Sequence, residues 1–474
     1  GIVVTAVGGD LAMRNGSQVR SNSGEITLRS VDDVLLGIVN ANNDGTGTAG
    51  DVFIIADSDG LGGGAIIDNI LTGEGLGSLN VIARDLFLSA ATGIGSGGGM
   101  LGEVADIDVL LSGQIVAENR DAGAIQLFAV GDARLLRVEN SAIPMGLAFS
   151  VVIDAATASL PIRAAITSVA PSEGIASENI IAQSAMLRAF DGIGGPNAAA
   201  LTTRIDSLWA SNIRSGPIGI AETDAISVVR LSQDRVAAPF AGGIELVAGG
   251  VITISGSGVR TDGPGSIALR STGASGGSGI VVNSAIVTGV VTDADGTILL
   301  QANDVEIAAT VDAGADPTRS NVQITPHTTG RTITLGGVIS ATLNLSNAEL
   351  NQVRARVLTL GGLGVDAINL GTSANAGRIV VAGLVEPLSV SHLVLLASAD
   401  VFGTAGGSVG VSGTLVIDAG TGVSGLDAGR LRTDATTIVG RVRQGGDFLV
   451  INDGSLNIGT TPAAPLVVAG TSLG

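Results

Sequence analysis

One seven-residue motif recurs along this chain and limits what it can fold into. Its pattern is Gly-x-(Ile/Leu/Val)-x-(Ile/Leu/Val)-x-(Ala/Ser). Copies start at Gly24 (GEITLRS), Gly50 (GDVFIIA), Gly77 (GSLNVIA) and Gly123 (GAIQLFA). Others start at Gly242 (GGIELVA), Gly265 (GSIALRS), Gly296 (GTILLQA), Gly361 (GGLGVDA) and Gly413 (GTLVIDA). Chance accounts for roughly one or two such matches, so the repeat is real. Glycine permits a sharp turn. The two aliphatic residues at alternate positions then face one side of a short strand. The small residue closes the strand where the chain bends.

A second short strand often follows: DVLLGIV from Asp33, DLFLSA from Asp85, ARLLRV from Ala133, VITIS from Val251 and DVEIAA from Asp304. The unit is therefore strand, corner, strand and a turn rich in Gly, Asn, Asp and Ser. Motif spacings such as 26, 27, 23 and 31 residues are those of one solenoid coil. A longer repeat lies above this one. Residues 192–228 align without a gap on 422–458, placing Thr203 on Thr433, Leu208 on Ile438, Gly216 on Gly446 and Ile218 on Phe448. A looser third copy covers 93–130, where a GIG at Gly93 matches the GIG at Gly192. Tandem duplication of multi-coil blocks explains this. One helical turn is expected in LSNAELNQV, where Ser346 and Glu349 form a capping-box pattern.

Strands this short bury their inner face only by stacking on the next coil, about 4.8 Å away. The expected fold is an all-β parallel β-helix, a single continuous solenoid over 1–474. Roughly 18–20 coils would make a rod on the order of 90 Å long. Composition agrees. The chain has 8 Phe, 1 Trp (Trp209) and no Tyr, as a narrow aliphatic core requires, whereas sandwich domains usually carry core aromatics. Beginning at Gly1 rather than Met, and closing at Gly474, both ends read as cut from a continuing pattern. No stretch has the roughly 20 mostly apolar residues of a spanning helix.

Composition also removes function classes. There is no cysteine, and all 24 basic residues are arginine. Disulfides, zinc–thiolate sites, Cys nucleophiles, Schiff-base chemistry and a Walker-type phosphate loop are excluded. A net charge of −19 with few aromatics makes a poor nucleic-acid binder.

The run ITPHTTGRTITLGGVISATLNLSNAELNQVRARVLTLGG (324–362) resembles a recurring block of the filamentous-haemagglutinin-like large exoproteins of Gram-negative bacteria. The stretch 187–228, with its GIG, Leu-x-Thr and SGPIGI, resembles a second block. Arg354 and Arg356 depart from that pattern, sitting where neutral residues are usual. The resemblance implies a right-handed β-helix, secretion across the outer membrane, and a role in adhesion or a surface layer.

Candidate chemistry is sparse. His327 and His392 each stand alone, where a metal or base site would want a partner at fixed spacing. Asp57 and Asp59 before Gly60, and Asp293 and Asp295 before Gly296, echo a calcium loop but lack its remaining ligands. Asp-capped turns are the plainer reading, with weak calcium binding by an acidic surface left open. Asp32–Asp33, Asp106–Asp108 and Asp154 are the acids that stacking could pair for sugar cleavage. The expectation is a non-catalytic structural or adhesive protein without catalytic, cofactor or metal residues. Its partners would be further subunits or cell-surface glycans, and its location the exterior of a Gram-negative cell. The alternative is a polysaccharide-binding or polysaccharide-cleaving β-helix, including a tailspike-like one, marked by acids and an arginine exposed in one lateral groove.

Overall fold

A computed structural model describes residues 1–43, 45, 48–70, 79–95, 106–142, 149–155, 164–170, 177–195, 197–234, 242–263, 265–273, 279–288, 296–314, 320–362, 365–366, 369–370, 375–427 and 429–459. It is a parallel β-helix. Contacts divide it into two compact units, Gly1–Asp224 with Leu231–Phe240, and Ala225–Arg230 with Ala241–Gly474.

In the first unit, alternate residues of each strand stack in parallel register on those of the next coil. Ile2, Ile26, Val52, Leu86 and Ile115 form one aliphatic column, and Val4, Leu28, Ile54 and Leu88 the adjacent one. Early coils contribute three strands rather than two. The coil after Ile26–Ser30 adds Val34–Leu36 and Ile38–Asn40, with their own columns Leu11–Val34–Ile66 and Val19–Val39–Val81. From Ile26 onward these inward residues are fully buried. Each buried Ile, Val or Leu contributes about 1.5–3 kcal/mol. Apolar side chains separated by one coil therefore support each other, while a lone coil would leave them wet.

The second unit repeats this arrangement. Ile244, Ile267, Ile298, Val322, Leu358, Leu393, Leu415 and Ile438 make one unbroken buried column. A separate five-stranded parallel sheet carries a column through Leu343, Ile333, Ile379, Val401 and Val423. The expected helical turn is present at Asn347–Leu350. The Glu349 amide donates to Ser346 Oγ at 3.2 Å, and the Ser346 amide donates back to Glu349 Oε2 at 2.8 Å.

One motif copy behaves differently. In GGLGVDA from Gly361, Val365–Asp366 pairs antiparallel with Asn369–Leu370 instead of joining the parallel ladder. Phe53 and Phe87 stack face to face on the outside, with centroids 4.5 Å apart, because they occupy the same register one coil apart.

Candidate functional site

Stacked coils bring together side chains far apart in sequence. Aspartates directly before strands form the first set. Asp10 Oδ1 accepts from the Asp33 amide at 3.2 Å, and Asp33 Oδ1 accepts from the Ala65 amide at 2.8 Å. Asp85 Oδ1 likewise takes the Gln114 amide at 2.8 Å, and Asp132 Oδ1 the Ala165 amide at 3.0 Å. Every donor also directly precedes a strand, so each acid pins the start of the next coil. Asp33, one candidate for sugar chemistry, is occupied this way, and Asp32 beside it is exposed.

Buried amides at strand ends form a second set. Asn119 Nδ2 donates to the Ala122 carbonyl at 2.7 Å and to Asn140 Oδ1 of the next coil at 3.1 Å. Asn212 Nδ2 does the same with the Ser215 carbonyl, 2.6 Å, and Gln233 Oε1, 3.0 Å. Each amide closes its own turn and ties it to the neighbouring coil.

Glu222 is a buried acid with a strongly raised pKa. Its Oε2 accepts from Thr203 Oγ1 at 2.7 Å and from the Ile205 amide at 3.1 Å. Its Oε1 accepts from the amides of Thr223, 2.9 Å, and Asp224, 3.3 Å. Only 5 % of the residue is exposed. Burial, helped by the Asp224 side chain, pushes its carboxyl up to about 7, against the pull of the Thr203 hydroxyl and the Asp224 and Ile205 amides. A buried, half-titrated acid is a catalytic candidate on electrostatic grounds. The aligned corner in the other unit argues otherwise. There Asn452 Oδ1 accepts from Thr433 Oγ1 at 2.9 Å and from the Ala435 amide at 3.0 Å. The two corners differ by the same offset at all three positions, and an amide serves where the acid does. Neighbouring contacts match as well: Ile193 bridges Ile218, and Val423 bridges Phe448.

The remaining candidates are dispersed. His392 is half-buried, and burial, then the Arg356 charge, lowers its pKa, keeping it neutral at pH 7. His327 lies half-buried in the bend that follows strand Asn321–Thr325. Asp57 is buried with φ 54°, pairs with Arg120 at 2.5 Å and caps the Gly62 amide at 2.9 Å. Asp59 takes the Leu61 amide at 3.2 Å. Both therefore serve the turn. Asp293 and Asp295 lie outside the described residues. Among the described residues, no three His, Asp or Glu side chains gather in a way that could hold a metal ion.

Asp108 and Asp154 share the column through Phe128, two coils apart, or about 9–10 Å. Both are almost closed to solvent, at 4 % and 2 % exposure, and Asp154 pairs with Arg188 at 3.2 Å. Asp106 is buried beside them. Half-buried Trp209 occupies the outward column that runs through Val152 and Met186. Arg354 finds Asp312 directly opposite, at 3.5 Å, which explains an arginine in that strand. Sequence reasoning missed the pinning aspartates and Glu222. The first had a visible signal, Asp immediately before an aliphatic run. The second was visible only through the alignment of 192–228 with 422–458.

Among the described residues, pinning acids, amide clamps and cross-coil ion pairs join successive coils, as in a stacked β-solenoid. No family model, curated protein or solved structure matches the chain.

Proposed function

We propose that this chain is a non-catalytic structural and adhesive segment of an extracellular fibre or surface layer on a Gram-negative bacterium, akin to the filamentous-haemagglutinin-like exoproteins. One observation carries this reading. Buried Glu222, an acid whose pKa is strongly raised, holds the same backbone position that neutral Asn452 holds elsewhere. Chemistry that an amide replaces is scaffolding chemistry. The aliphatic columns and cross-coil hydrogen bonds would supply stiffness without crosslinks. The net charge of −19 would keep the protein soluble. Its partners would be neighbouring subunits and cell-surface glycans.

Electron microscopy of source cells, with antibody against this segment, tests the proposal. Label along regular surface fibres or a layer is expected. Label confined to released, unassembled particles, together with cleavage of a polysaccharide by the purified chain, would overturn it in favour of a carbohydrate-processing β-helix.

A further inference from the structure

Between the strands Leu11–Ala12 and Gln18–Arg20 the chain makes an excursion that its neighbouring coil lacks. The neighbour joins Val34–Leu36 to Ile38–Asn40 through Gly37 alone. The two coils pair on both sides of this step. The Met13 amide donates to the Leu35 carbonyl at 2.9 Å, and the Ser17 carbonyl accepts from the Ile38 amide at 2.9 Å. Arg14, Asn15 and Gly16 therefore have no counterpart. They leave the stack sideways and stand outside the strands on which any further coil would rest. The Ser17 amide closes the turn on the Arg14 carbonyl at 2.8 Å. All three residues are exposed, and Gly16 has φ 78° with open space where a Cβ would point.

Asn15 and Gly16 form the one Asn-Gly pair in the sequence. Among the described residues, neither the Asn15 carboxamide nor the Gly16 amide has a hydrogen-bond partner. Asparagines at other corners are held. Asn119 and Asn212 are buried, and each clamps a carbonyl and a second side chain. Asn452 Oδ1 is taken by Thr433 and Ala435. A carboxamide clamped in this way cannot turn towards the amide that follows it. Asn15 can, and glycine next to it leaves that amide nitrogen unscreened and its backbone free to approach.

We propose that Asn15 is a site of self-modification, converted to aspartate and isoaspartate with water as the only co-reactant. The Gly16 nitrogen loses its proton to solvent base and attacks Asn15 Cγ. The Cγ–Nδ2 bond breaks, and Nδ2 leaves as ammonia, giving a cyclic imide. Water then opens the imide at either carbonyl. Opening at Cγ gives aspartate. Opening at the Asn15 main-chain carbonyl gives isoaspartate, whose backbone is longer by a methylene. A water is consumed, an ammonia is released and no electrons are transferred. Either product adds a negative charge beside exposed Arg14. The added backbone atom falls in the excursion, outside the columns Leu11–Val34 and Val19–Val39. The fold is kept while the charge of the turn changes irreversibly with age. This goes beyond the fibre reading and does not depend on it.

Ageing the purified full chain in warm, mildly alkaline buffer made with heavy-oxygen water tests the proposal. Mass spectrometry of the tryptic peptide ending at Arg20 provides the readout. Conversion of Asn15 with uptake of a heavy oxygen, isoaspartate in excess of aspartate, and an unchanged circular-dichroism melt are expected. Conversion should quicken as pH rises, because the attacking nitrogen must lose its proton. Gly16→Ala should slow it at least about tenfold by screening that nitrogen. Asn15→Gln, whose longer side chain closes the ring poorly, should leave the turn unmodified. The glutamine is exposed and carries no backbone strain, so it holds the test if the alanine variant misfolds. An Asn15 that stays intact throughout overturns the proposal. So does conversion to aspartate alone, which marks direct hydrolysis, or an equal rate in folded Gly16→Ala.

Discussion

The corner at Glu222 and the corner at Asn452 present the same two donors, a threonine hydroxyl and the amide two residues further on. One answers with a carboxylate, the other with a carboxamide. The requirement is an oxygen acceptor in a fixed place, because an unanswered buried donor costs about 1–3 kcal/mol. Charge is incidental. The difference lies in what else each side chain reaches. Glu222 is longer and also caps Thr223 and Asp224. Asn452 instead turns its Nδ2 back to the Ala435 carbonyl at 3.2 Å. The acid therefore makes four of these hydrogen bonds to the amide's three, and acquires a titration that the amide lacks.

The largest break in this comparison should come from the glycines beside the corners. Gly216 has φ 83° and Gly446 φ 147°, and a Cβ at either would run into a carbonyl of the previous coil, that of Asp191 or Thr421. Gly216→Ala and Gly446→Ala should each lower stability by about 3 kcal/mol or more in denaturant melts. The second should suffer more, because its φ belongs to a region open almost only to glycine. Equal, small effects would show that the two turns are not under the same constraint.

Titration should separate the corners next. Glu222 holds its proton up to about 7 when folded, above its ordinary 4.5. The folded state therefore binds more protons between these values. Stability should be complete below about pH 4.5, fall as pH rises towards 7, and level off above it, losing at most about 3 kcal/mol. Glu222→Asn, which copies the other corner, should flatten that slope, and Asn452→Glu should install a weaker one. A slope unchanged in Glu222→Asn would assign the titration to another group, such as Asp68, whose pKa burial also raises.

The smallest expected effect is on the threonines. Thr203→Val and Thr433→Val should each cost about 1 kcal/mol, with faster amide exchange at Ile205 and Ala435 respectively. Exchange that stays slow at both amides would mean that the acceptor oxygen holds its place without the hydroxyl.

Much of the fold was legible because strand periodicity survives even in seven-residue units. Ile26–Ser30, Ile244–Ala248 and Ile267–Ser271 form where the motif places them. The third face of the early coils was not legible. Strands such as Leu11–Ala12 are two residues long and carry no period. The failure of GGLGVDA to join the ladder was equally hidden, since parallel and antiparallel pairing use the same side-chain alternation. The polar corners depend on which coil neighbours which. That is fixed by coil length rather than by local pattern, so Asp33 reads as half of an acid pair until Ala65 is seen opposite it.

The column geometry has a consequence for how such a chain can change length. Each stacked residue contacts the same kind of residue above and below, so duplicating or deleting one whole coil restores every contact with an equivalent partner. Losing a single residue within a strand instead turns the following side chains from core to solvent. Recombination between similar segments of the gene is therefore tolerated in coil-sized steps, and a lineage of such proteins can vary in reach while its local chemistry stays fixed.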